Sequence, residues 1–261
     1  GTIEVHAGRM FNFGAALTMG DVEGDVFDAD EFTIQTTEGN ITLTATNDID
    51  LDTVNAGSGT VIVTADSDSS GAGSIDDALT AETSNITAAS AALRAATGIG
   101  STDDVDTTVS TVSATNSISG NIQLDNGNGT DLTIGTVDGL AGITNDGGSI
   151  LVNNLNGTIT VDDAVSTVAG SGGSLSLSGS LVINATVAAG QFNVTLNGND
   201  NGDDDLVVNA DLTTGGSLAL SVSRDIIVNA TVQTTGADSD IIATADNDND
   251  GIGGVQVTTG G

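Results

Sequence analysis

Three aspartates, Asp246, Asp248 and Asp250, stand at alternate positions ahead of Gly251 and Gly253 in the stretch TADNDNDGIGG, residues 244 to 254. This spacing matches the first half of a hard-cation loop: positions 1, 3 and 5 aim oxygen ligands at one Ca2+ ion, and glycine permits the sharp turn. The bidentate glutamate of such a loop is missing, because counting Asp246 as position 1 puts Val257 at position 12. Calcium here would need further oxygens from carbonyls or from a neighbouring strand. A near copy, TADSDSSGAGS at 64 to 74, offers Asp66, Asp68 and Ser70. With a hydroxyl replacing the third carboxylate, it is expected to hold Ca2+ more weakly. The competing reading is a solvated turn, for which Asp, Asn and Gly are the expected residues whatever they bind.

Other chemistry has less to work with. The pairs Asp103-Asp104 and Asp162-Asp163 and the run Asp203-Asp204-Asp205 place neighbouring carboxylates on opposite faces of a strand, so adjacency alone makes no catalytic dyad. Glycoside hydrolysis needs two carboxylates at a set separation, and a chain without Trp or Tyr has little on which to stack a sugar. A β-helix polysaccharide lyase would need a base beside bound calcium, and only Arg94 or Arg224 could be nominated. His6 is the only histidine, which excludes a histidine metal cluster or a Ser-His-Asp triad. The glycine run at 170 to 174 lacks the lysine of a phosphate loop. No catalytic residue is assigned.

Seven Asn-x-Ser/Thr triplets, at Asn40, Asn85, Asn128, Asn156, Asn184, Asn193 and Asn229, are expected by chance in strand-rich Asn/Thr text and also qualify as glycosylation acceptors. The Thr-x-Thr row at 42 to 46 does not recur in register, which argues against an ice-binding face.

Thirty-six acidic residues against three arginines give a formal charge of −33. Such self-repulsion calls for counterions. Bound divalent cations, a high-salt habitat and simple solubility all fit, whereas nucleic acid, itself a polyanion, needs a cationic footprint that this chain lacks. With 38% hydrophobic residues the chain has ample material for an ordered core, made of Val, Ile, Leu and Ala. Thirty-six glycines and no proline leave the turns to positive-φ Gly and Asn. Cysteine is absent, so no disulfide or thiolate site exists. No signal peptide, membrane-crossing run or lipidation motif is evident.

The elements that must carry these residues are short. GNITLTA, GTVIVTA, GNIQLDN, GTITVDD, GSLSLSG and GSLALSV each read as a period-2 strand of about five residues opened by glycine, with Asn-Gly and Asp-Gly turns such as Asn156-Gly157 and Asp250-Gly251 between strands. The phrases VINATVAAG, VVNADLTTG and IVNATVQTTG centre on Asn184, Asn209 and Asn229, whose numbers differ by 209 − 184 = 25 and 229 − 209 = 20. That is the length of one turn of a parallel β-solenoid, in which aligned asparagines stack as an amide ladder. A longer period encloses the shorter one: Phe11 resembles Phe192 in context, Thr36 resembles Thr213 and Val61 resembles Ile241, at offsets of 181, 177 and 180. The expected fold is therefore an all-β parallel β-solenoid with rungs of about 20–25 residues inside a repeat of about 180, continuous over 1–261. Residues 8–75 and 190–255 are equivalent parts of successive long repeats. The segment 76–100, rich in alanine and poor in glycine, is the candidate irregular or inserted stretch; strands are preferred there over a helix.

The stretch LRAATGIGSTDDVDTTVSTVSATNSISGNIQLDN at 93 to 126, with phrases such as GGSLSLS and VNATV, resembles the filamentous haemagglutinin-like β-helical repeats of giant bacterial surface and secreted proteins. The resemblance covers most of the chain in texture and implies a long right-handed β-helix exported for adhesion, biofilm or surface-layer roles. The amino-terminal secretion domain of that family is not visible. Since the text begins at GTIEV and ends at VQVTTGG, the chain reads as an internal piece of a longer one. The expectation is an extracellular, cell-surface, structural or adhesive rod with a long acidic face, with Ca2+ as its candidate cofactor. The alternative is a self-assembling, cation-dependent filament or surface-layer subunit. Expected partners are other copies or neighbouring repeats of the same chain, surface receptors or polysaccharide; nucleic acid and membrane insertion are not expected.

Overall fold

The computed structural model describes residues 10–13, 17–22, 33–36, 38–79, 81–127, 129–168, 173–190, 194–197 and 205–258. All regular structure among them is β, and the strands stack in parallel as a β-solenoid. The glycine-opened alternations become strands because every second residue is apolar: Ile41–Ala45 reads buried, half-buried, buried, half-buried, buried, and Leu175–Ile183 keeps the alternation over nine residues. The core is one continuous column of Val, Ile, Leu and Ala. Each fully buried Leu, Ile or Val contributes roughly 1.5–3 kcal/mol relative to exposure.

Three columns of strands run through the first half. Ile41–Ala45, Thr60–Thr64, Ser90–Ala95 and Thr111–Asn116 lie on one another, with Ile41 against Val61, Val61 against Ala91 and Ala91 against Val112. A second column runs through Thr33–Thr36, Thr53–Asn55, Ile86–Thr87 and Val105–Thr108. The third runs through Ile49–Leu51 and Ile75–Asp77, then through bridges at Ile99 and Ile122.

The columns are redistributed halfway along. Ile99 meets Ile122 and Val105 meets Leu124, so the second and third columns fuse in the single strand Ile122–Asn126. At the same level the first column divides, Thr111–Val112 carrying Leu132–Ile134 and Ala114–Asn116 carrying Ile143–Asn145. A hairpin causes the division. Thr136–Val137 and Leu140–Ala141 pair antiparallel around Asp138 and Gly139, both at positive φ (51° and 72°), as a two-residue type I′ connection demands. Gly135 and Gly142 close its base, the Gly142 N–H donating to the Gly135 carbonyl at 3.1 Å. The hairpin lies over Ser90–Ala95 and Thr111–Asn116, and Arg94 Nη2 pins its tip at 3.1 Å from the Asp138 carboxylate. Ala92 and Ser113, at outward positions, are accordingly buried.

The expected rung length holds in most places, as from Ile41 to Val61 (61 − 41 = 20) and from Ala91 to Val112 (112 − 91 = 21). The steps from Val61 to Ala91 and from Ala114 to Ile143 are longer, 91 − 61 = 30 and 143 − 114 = 29, because the acidic turn and the excursion after Asp77 lengthen one and the hairpin lengthens the other. Segment 76–100 is strand where it has regular structure: Ser90–Ala95 buries Ala91, Ala92, Leu93 and Ala95. Asn156-Gly157, expected to be a turn between strands, lies inside the strand Ile150–Val161 at a shift of register between Asn153 and Thr158. The expected amide ladder forms: Asn209 Nδ2 donates to Asn184 Oδ1 and Asn229 Nδ2 to Asn209 Oδ1, each at 2.9 Å.

The long repeat does not close on a whole number of turns. From Ile41–Ala45 the stack climbs through Thr60–Thr64, Ser90–Ala95, Thr111–Asn116, Leu132–Ile134, the second half of Ile150–Val161 and the second half of Leu175–Ile183 to Leu206–Val208. Leu218–Ser221, the counterpart of Ile41–Ala45 by sequence, stands instead in the fused column, above Val194–Asn197.

Candidate metal centre

The two acidic turns fold alike, position for position, at an offset of 180. Asp66 and Asp246 take φ of 58° and 54°, Ser69 and Asn249 57° and 60°, Gly71 and Gly251 both 86°, Gly73 and Gly253 140° and 155°. The third residue after the first aspartate closes each turn, its N–H donating to the Asp66 carbonyl (3.0 Å) or the Asp246 carbonyl (3.1 Å). The amides of Gly71 and Gly251 then donate to Oδ1 of Asp66 (2.9 Å) and Asp246 (3.1 Å). Each turn is tied to the rung before it: Ser67 N–H donates to the Ala45 carbonyl and Asn247 N–H to that of Val222. At the far end Ser74 N–H donates to Asp48 Oδ1 (2.8 Å) and Gly254 N–H to Asp225 Oδ1 (2.9 Å). Spacing within the turns does not single out Asp48 and Asp225, although their separation, 225 − 48 = 177, repeats that of Thr36 and Thr213.

Asp246, Asp248 and Asp250 each bring a carboxylate oxygen within 4.8 Å of the others, the first half-buried and the other two exposed. One cation could touch all three, since Ca2+ binds oxygen at about 2.3–2.6 Å. Since Ca2+ takes six to eight oxygens, an ion there would need at least three more than these carboxylates offer. Position 12 adds none, because Val257 belongs to the strand Val255–Val257. In the first copy a proton occupies the corresponding role: Ser70 Oγ donates to Asp66 Oδ1 at 3.0 Å, and Ser70 N–H reaches Asp68 Oδ1 at 3.2 Å. The serine satisfies the carboxylate internally.

Stacking also builds an acidic cluster that adjacency in sequence conceals. Asp106 lies in register against Asp125 on the next rung, with Asp77, Glu82 and Asp104 close enough to act on it electrostatically. Asp106 Oδ2 is buried without a hydrogen-bond partner. Burial first, then the neighbouring carboxylates, push the Asp106 carboxyl up to about 7; burial likewise raises Asp77 and Asp125. Beneath them Asn85, fully buried, donates to the Leu51 carbonyl at 2.8 Å and accepts from Asp106 N–H at 2.8 Å. Its side chain is consumed by the fold, which removes it from the glycosylation candidates in the folded chain.

A folded carboxyl near 7 against 3.8 unfolded holds a proton that the unfolded chain releases, so this group's contribution to stability falls as pH rises from about 4 to 7. Asp106→Asn is expected to raise stability by about 1–2 kcal/mol at pH 8, a value discounted for partial solvent screening, and by nothing near pH 4. Urea unfolding at the two pH values checks it; an equal effect at both would locate the cause elsewhere.

The remaining sequence candidates scatter. Asp162 accepts from Asn184 Nδ2 and Asp163 from the Thr136 hydroxyl. Asp205 stands 3.9 Å from Arg224 and accepts from Asp225 N–H. His6, Asp203, Asp204 and the side chains of Asn128, Asn156 and Asn193 lie outside the described residues. Compared with protein-family models, curated proteins and solved structures, the chain has no match.

Proposed function

We propose that this chain is a segment of an extracellular or cell-surface β-helical rod of the kind that its filamentous haemagglutinin-like text resembles, displaying an acidic exterior for attachment, biofilm or matrix. The observation that carries the reading is the return of one folded acidic turn, Asp66 recurring as Asp246, within an unbroken parallel stack. A repeated decoration on a continuous core suits length and presentation, since each rung contacts only its neighbours and the array extends without limit. The partners that fit are neighbouring repeats, polysaccharide and surface receptors. The test is to label intact and lysed source cells with antibody raised against the chain. Labelling of intact cells supports the role, and labelling confined to lysed cells would sink it.

The Asp246, Asp248, Asp250 triad favours a second reading, a cation-dependent filament or surface layer. Saturating Ca2+ at about 100 times the dissociation constant stabilises a binding-competent fold by about 2.7 kcal/mol, so the melting temperature should fall by several degrees on adding EDTA to calcium-loaded protein. The shift should be lost in Asp248→Asn with Asp250→Asn. An unchanged melting curve would remove Ca2+ from the account.

A further inference from the structure

Among the described residues, five of the seven exposed large apolar residues lie in the last described rung: Ile241, Ile242, Ile252, Val255 and Val257, 47% to 67% exposed. They belong to Ile241–Thr244, the acidic turn and Val255–Val257; the counterparts of Ile242 and Ile252 in the covered copy, Ile62 and Ala72, stay half-buried and exposed, so the open end is made by Ile241, Val255 and Val257. We propose that this end face is a docking surface for one kind of rung, the strand and following bridge of the Ser90–Gly100 type. The identity of the occupant comes from inside the chain. Residues 241–257 are the counterparts of 61–77, with equivalent turn dihedrals and anchors, and 61–77 is covered by a rung in the same molecule. Ser90–Ala95 lies on Thr60–Thr64 with Ala91 against Val61 and Leu93 against Val63, and Ile99 bridges Ile75.

The hydrogen bonds transfer with the side chains. Ala65 N–H donates to the Arg94 carbonyl at 2.9 Å, Ile75 N–H to the Gly98 carbonyl at 3.0 Å, and Gly100 N–H to the Ile75 carbonyl at 2.7 Å. The counterparts of Ala65 and Ile75 are Ala245 and Val255, so the incoming rung accepts from both amides and donates to the Val255 carbonyl. Ala243 replaces Val63 beneath the Leu93-type side chain, which leaves that knob more room. A second copy docking by its own first strands is a poorer fit. Met10–Phe13 and Leu17–Val22 precede Thr33–Thr36 and Ile41–Ala45 in the stack and match an earlier station of the repeat than the one exposed at Ile241. Docking of this kind requires the repeat architecture alone, and neither a surface location nor calcium binding.

The test joins a second copy of residues 79–104 directly after Thr258, the counterpart of Ala78, and compares it with the same residues in scrambled order. Amide exchange at Ala245 and Val255 should slow by about 100-fold or more in the native-order chain, as for amides that exchange only through sub-global opening, and stay fast in the scrambled one. In a second arm, the synthetic 79–104 peptide added to the unaltered chain should protect the same two amides. Absence of protection in both arms would overturn the proposal. So would equal protection by the scrambled sequence, or concentration-dependent protection of these amides in the unaltered chain without peptide, which would make a second copy the occupant.

Discussion

Asn116→Ala is expected to lower the unfolding free energy by about 3–5 kcal/mol, since a stranded buried polar group costs about 1–3 kcal/mol and this side chain serves several on three rungs. Its Nδ2 donates to the Ser119 carbonyl at 2.8 Å and to Asn145 Oδ1 at 3.0 Å, and its Oδ1 accepts from Gly98 N–H at 2.9 Å. Both asparagines are fully buried, so water does not replace what alanine removes. The exposed ladder supplies the control. Asn209→Ala deletes two amide contacts of 2.9 Å where solvent can substitute, and should cost less than about 1 kcal/mol. Urea unfolding of the two variants with unchanged slope checks the contrast; similar losses would mean that the buried ladder is wet.

Gly142→Val should be comparably damaging, at about 4 kcal/mol, from strain and overlap together. Gly142 has φ of 68°, and a Cβ built on it falls 2.0 Å from the Ala164 carbonyl oxygen, a backbone atom that cannot turn aside. A β-branched residue adds strain of about 1–3 kcal/mol at that φ to the overlap. Gly139, at the tip of the same hairpin, separates the two causes: its φ is 72°, yet nothing lies within 4 Å of an added Cβ. Gly139→Val should therefore cost only the strain, about 1–3 kcal/mol. Thermal unfolding of both variants measures the steric part by difference, and equal destabilisation would refute the close approach at Ala164.

Strand positions, the amide ladder at Asn184, Asn209 and Asn229 and the long period that returns Asp66 as Asp246 were legible in the sequence. All three express period 2 or a fixed spacing, which burial on one face of a strand imposes directly. The Asp106–Asp125 contact was not. Which residues face one another across rungs depends on a turn length that varies from rung to rung, so the offset of this pair, 125 − 106 = 19, follows from no fixed spacing. The hairpin at 136–141 carried a legible signal, Asp138-Gly139 between Val137 and Leu140, but nothing local says that it leaves the stack and roofs Ala92 and Ser113. In the acidic turns the aspartates at alternate positions were evident from spacing. The anchoring by Asp48 and Asp225 was hidden because it comes from the preceding rung.

The displacement of the long repeat between columns sets how the rod meets its surroundings. Seven ladder steps and a further part of a turn separate Ile41–Ala45 from Leu218–Ser221, and at ~4.8 Å per step equivalent stations recur about every 35 Å. They do not recur along one line. The first acidic turn leaves the column of Thr60–Thr64, whereas the second leaves the fused column of Ile241–Thr244, at another corner of the cross-section. The two stations thus flank the face made by the fused column: the first turn leads into the third column at Ile75–Asp77, and the second leads out of the fused column to Val255–Val257.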